Sequence, residues 1–138
     1  MDILAGLERL QRVLVEFDQL PRRVAMLAAP AITKALQKEF TSGNDPHGRK
    51  WKKLATGKPS HLTLSGKLRK GTRAALMPGG RKGLRIILGA KYGSFHQTGT
   101  RTMPARRILP DKGMPASWRT ALERAHREVF QQIVTGAG

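Results

Sequence analysis

Hydrophobic residues in the first forty positions recur at helical spacing. Ile3, Leu7, Leu10, Leu14 and Phe17 fall at steps of three and four, which predicts a helix with one buried stripe and Asp2 as its cap. Asp18 and Gln19 interrupt it before Pro21, whose fixed φ and missing N–H suit the first turn of a second helix. In that helix Val24, Leu27, Ala28, Ala31, Ile32, Ala35, Leu36 and Phe40 form a broad apolar face. Pro30 falls inside the pattern and predicts a kink or a break.

The periodicity then stops. From Thr41 to His61 the chain is rich in glycine, proline and lysine and reads as a long basic loop, in which Trp51 and Leu54 are the apolar anchors. Leu62 to Thr72 reads as one or two helical turns, with Leu64 and Leu68 on one side. Ala74 to Met77 reads as a brief strand. After the glycine-rich turn PGGRKG, Leu84 to Leu88 is a β-branched run that predicts a half-buried strand paired with 72–77. Tyr92, Phe95 and His96 share one face of a helical turn leaving that strand and lock the corner into the core, and Gly99 lets the chain exit. Gln97 and Pro104 complete the corner. A last helix begins near residues 115–117 and carries Trp118, Leu122, Ala125, Val129 and Ile133 on one face, with the terminal TGAG fraying. The order of elements predicts one α+β domain over residues 1–138, an antiparallel sheet packed against an N-terminal helical segment and a C-terminal helix.

Charge adds a partner to this picture. The formal net charge is +17, and between Pro46 and Pro110 stand sixteen Lys or Arg and no Asp or Glu. Arg49, Lys50, Lys52, Lys53, Arg106 and Arg107 are the candidates for contact with duplex DNA or a neighbouring subunit. No zinc finger, aromatic-basic RNA-binding strand or helix-turn-helix pattern is present, so base reading is not expected.

Catalysis finds little to build on. Cysteine is absent, and His47, His61, His96 and His126 fit no standard zinc spacing, so no metal or cofactor is expected. Asp45 and Asp111 bracket the basic region, and a paired-carboxylate mechanism needs the fold to bring them together. His96 reads as a hydrogen-bonded packing residue rather than a base. No signal peptide or membrane span is expected at the N-terminus.

A chain of landmarks nevertheless resembles a known family, the virion morphogenesis or tail completion proteins of long-tailed bacteriophages and prophages. The landmarks are Phe40 with Asp45, Pro46, Gly48, Trp51 and Leu54, then Leu64, Gly66 and Leu68, then the strand ending in Gly89. Tyr92 with His96, Gln97 and Gly99 follows, and finally Pro104, Arg106 and Leu109. Thr98 and Ile108 stand where the family usually has aromatics. The resemblance implies a non-enzymatic structural protein of the tail or the head-tail junction, made in the host cytoplasm. It implies a homo-oligomeric ring, hexameric by preference, contacting other tail or connector proteins and passively duplex DNA. On that account residues 41–61 become ordered against a neighbouring subunit. The alternative is a DNA-binding accessory protein that uses the basic middle without sequence preference.

Overall fold

Helix α2 (Leu20–Ser42) is the spine on which the other elements pack. A computed structural model describes residues 3–57 and 66–136. Pro21 sits in the first turn of α2, where its missing N–H costs nothing. The helix ends where Gly43 turns left-handed at φ 72° and donates its N–H to the Glu39 carbonyl. The expected break at Pro30 does not occur. Met26 and Pro30 are both exposed, so the carbonyl that receives no N–H from the proline lies on the outward side of the helix, where water can serve it.

The buried face of α2, from Ala25 through Ala28, Ile32 and Leu36 to Phe40, serves two clusters. In the first, Ala28, Ile32 and Leu36 meet Ala74 of the sheet and Trp118 and Ala125 of helix α5 (Ala116–Gly136). Arg23 near the start of α2 donates to Gln132 near the end of α5, so the two long helices run antiparallel. The last helix continues to Gly136, through residues expected to fray. In the second cluster Phe40 meets Trp51, Leu68 and Ile108, with Leu88 and Ala90 at its edge.

Strands β1 (Arg73–Leu76) and β2 (Leu84–Ile87) form an antiparallel pair in the register Arg73↔Ile87 to Leu76↔Leu84, as the alternation predicts. Glycines 79 and 80, at φ 68° and 74°, turn the chain between them. The Thr33 hydroxyl accepts the Ala74 N–H at 3.0 Å and pins the sheet to α2. The short helix α3 (Lys67–Gly71) is fastened to the strand exit through Thr72, whose buried hydroxyl donates to Leu68 and accepts from Gly89. A Cβ on Gly89 would collide with the carbonyl oxygens of Lys67 and Leu68, so this crossing requires glycine. The expected start of α3 near Thr63 or Ser65, like Asp2, His61 and Leu64, lies outside the described residues.

The described elements therefore make an α+β fold, with the sheet, α2 and α5 arranged as the patterning predicts. Helix α1 (Ile3–Asp18) departs from it. Its stripe was expected to be buried, yet Leu7, Leu10 and Leu14 are 53–58% exposed and Ile3 is 78% exposed. Its C-terminal end meets the body, where Phe17 packs against Phe130 of α5 with ring centroids 5.7 Å apart and Asp18 pairs with Lys82. The amphipathic pattern correctly predicts a helix, but the buried face of α2 packs against α5 and β1 rather than against α1. Among the described residues, no helix is long and apolar enough to cross a membrane.

Candidate functional site

The loop after α2 is built around one carboxylate. Asp45 is buried, and its Oδ1 accepts the backbone N–H groups of His47 at 3.0 Å and Arg49 at 2.8 Å. Asp side chains favour this local geometry because they reach backbone donors two to four residues ahead. Gly48, at φ 85°, closes the turn, and an isolated bridge between Asn44 and Lys50 returns the chain toward the body. Trp51 then enters the second cluster, edge-on to Phe40 with ring centroids 5.7 Å apart, and its Nε1 donates to the Arg107 carbonyl at 2.8 Å. A loop that starts as a local turn is thus tied to a segment far along the chain.

That second segment begins with helix α4 (Gly93–Thr98) and leaves it at Gly99, φ 76°, where a Cβ would lie 2.9 Å from the Ala105 nitrogen. Pro104 follows at a half-buried position. Gln97 holds the return path. Its Oε1 accepts the N–H groups of Ile108 and Leu109, both at 2.8 Å, and its Nε2 donates to the Leu109 carbonyl. These bonds place Ile108, fully buried, against Phe40 and Trp51.

Arg106 closes the assembly. It was expected at the surface beside Arg107, but it is 6% exposed. Its backbone N–H donates to the His96 carbonyl at 2.7 Å, while Nε and Nη2 donate to the carbonyls of Lys52 and Lys53 at 2.8 and 3.0 Å. The guanidinium is buried because its planar fork satisfies carbonyls that the loop would otherwise leave without donors. Arg106 is therefore a clamp and no longer a candidate for DNA contact. Its membership of the landmark set is the one sequence signal that separates it from Arg107.

Asp45 and Asp111 are brought together, with Arg49 between them. The Arg49 Nε reaches Asp45 at 2.7 Å and its Nη2 reaches Asp111 at 2.5 Å, while Arg107 holds the other Asp111 oxygen at 2.7 Å. The hydrogen bond to Arg49 lowers the Asp111 carboxyl below its usual range and raises the Arg49 guanidinium above its own. Both carboxylates are committed to ion pairs. Arg49 and Arg107 are exposed but spend their charge within the chain, so Lys50, Lys52 and Lys53 are the loop cations free of ion pairs among the described residues.

Several sequence expectations need correction. Leu54 is 45% exposed and does not anchor the loop; Trp51 and Arg106 do so instead. Tyr92 and Phe95 do not lock the corner into the core, since they are 38% and 55% exposed, and the Tyr92 ring meets His96 edge-on. Helix α4 turns its backbone inward at Gly93, where a Cβ would crowd the side chains of Leu68 and Leu88, which points residues 92 and 95 outward. His96 is half-buried with Nδ1 lacking a hydrogen-bond partner, and burial followed by the nearby Arg106 charge lowers its pKa. Within the loop, Trp51, Lys52 and Lys53 are tied to the chain's own Arg106 and Arg107.

Glu39 was missed. It lies under the loop, 7% exposed, with Oε2 lacking a partner, and burial together with the Asp45 charge pushes its pKa up to about 9. The carboxyl is accordingly protonated at neutral pH. Its place on the buried side of α2, beside Phe40, was the available signal. Among the described residues, no group of three or more His, Asp or Glu side chains is placed to hold a metal ion.

No family model, curated protein or solved structure matches the chain.

Proposed function

We propose that this protein is a non-enzymatic structural component of phage or prophage virion assembly. On this reading it completes the tail or joins it to the head as an oligomeric ring. The observation that supports the reading best is the convergence of the landmark residues. Asp45, Gly48, Trp51, Gln97, Gly99 and Arg106, spread over sixty positions of sequence, belong to one assembly of hydrogen bonds and packing around Phe40. Their chemistry is to hold two loops in a fixed relation, which is what a protein that presents surfaces to neighbours requires. Lys50, Lys52 and Lys53 stand on the outside of that assembly as a cationic face toward a polyanion or an acidic subunit.

The test is the protein's location in an intact virion, read by labelled-antibody electron microscopy, with the particle mass measured by sedimentation. The reading expects the label at the tail end or the head-tail junction and a mass several times that of the chain. Absence from purified virions overturns it. Tight binding of duplex DNA that weakens steeply with salt, in a protein absent from virions, favours the accessory DNA-binding reading instead.

A further inference from the structure

We propose that α1 is an arm that docks into a second copy of this chain, in the groove between that copy's α2 and α5. From Ile3 to Arg12 every residue of α1 is exposed, and Gln19 alone connects the arm to α2. Ile3, Leu4, Leu7, Leu10, Leu14 and Val15 are each more than half exposed. Together they present on the order of 700 Å² of surface, close to the roughly 800 Å² that each partner buries in a standard protein interface. A patch of that size is larger than monomers ordinarily leave to water.

The shape of the face argues for a groove rather than a single facing helix. At 3.6 residues per turn, the apolar positions from Phe17 round to Val15 cover an arc of roughly 160°, wider than the narrow seam of a two-stranded coiled coil. Such an arc is covered when the helix lies between two others. The body offers a site of that form, a groove lined by Leu27, Ala31, Ala35, Ala121 and Ala125 together with four polar side chains of α5. Small side chains on the floor leave space for the leucines of an incoming helix, as ridges enter grooves in helix packing.

Glu8 borders the apolar arc, and the charged residues that line the groove are Arg124 and Glu128 of α5. Because arm and groove are different surfaces, docking either exchanges arms in a two-fold pair or runs head-to-tail, and a repeated head-to-tail contact closes a ring when the rotation allows. The docking rests on the ring reading only for that closure.

The absence of cysteine makes the test direct, since any introduced thiol is the sole one on its chain. L10C protein is mixed with A121C protein and treated with a short bis-maleimide, alongside each variant alone. The expected result is a linked pair in the mixture at least tenfold above either variant by itself. In sedimentation velocity, L7E/L10E and, separately, A31W are expected to lower the assembled mass to that of the single chain, with helical circular dichroism unchanged. Linkage of L10C mainly to itself overturns the proposal in favour of arm-to-arm pairing. A monomeric wild type in which an L10C/A121C double variant links within one chain overturns it in favour of an arm folded onto its own body. Retained assembly in both L7E/L10E and A31W overturns it as well, while leaving virion location to decide the structural reading independently.

Discussion

Helix α1 and the loop at 43–57 invert what their sequences suggest. The arm has regular apolar spacing and good helix formers, yet its leucines face solvent and it meets the body through Phe17. The loop is irregular, basic and rich in glycine, yet Trp51 is buried and its carbonyls are held by an arginine more than fifty residues away. Periodicity reports that a face exists. Attachment depends on whether another element presents a matching surface and matching donors.

The largest test of that contrast is W51A. Removing a buried indole together with its bond to the Arg107 carbonyl is expected to cost about 3–5 kcal/mol in urea unfolding. A loss below about 1 kcal/mol would mean that the loop is not part of the cooperative fold. Next comes Q97A, which strips acceptors from the Ile108 and Leu109 N–H groups and is expected to cost about 2 kcal/mol in the same measurement.

Glu39 sharpens the comparison through pH. The folded carboxyl, with its pKa pushed to about 9, keeps a proton that the unfolded chain releases near 4.5. Its contribution is fully present below pH 4.5 and is lost as pH rises toward 9, so Glu39 weakens the fold progressively across that window. E39Q is therefore expected to stabilise the protein by on the order of 2 kcal/mol at pH 7.5, with the gain fading toward pH 4.5. Thermal melts of both proteins at pH 5 and 8 check the sign, and an equal effect at both would refute the buried-carboxyl account. The smallest effect belongs to the arm. At concentrations where the protein is monomeric, L10S is expected to change unfolding free energy by less than about 0.5 kcal/mol, as for exposed positions generally.

Much of the fold was legible because neighbouring residues carry it. The 3.6-residue spacing of Ala28, Ile32 and Leu36 and of Trp118, Ala125 and Val129 marks helices with buried faces, and the glycines before Leu84 mark the hairpin. In the candidate site Asp45, Gly48 and Trp51 were legible for the same reason, being a local turn followed by one large apolar side chain. Arg106 was grouped with the landmarks but wrongly placed at the surface. A guanidinium is buried only when distant carbonyls converge on it, and nothing adjacent to residue 106 encodes Lys52 and Lys53. Tyr92 and Phe95 were misread because six residues of helix have too few turns for spacing alone to say which side faces inward.

The sequence by itself determined which segments are helical, where the hairpin turns, that the middle of the chain is basic, and that thiol chemistry is absent. These properties follow from backbone sterics, local periodicity and composition, which act over a few residues. Tertiary structure alone decided that the α1 stripe stays open, that Arg49 joins Asp45 to Asp111, that Glu39 is buried and protonated, and that Arg106 clamps the loop. Each depends on which distant groups share a small volume, where desolvation and long-range hydrogen bonds outweigh the local preference of any one residue.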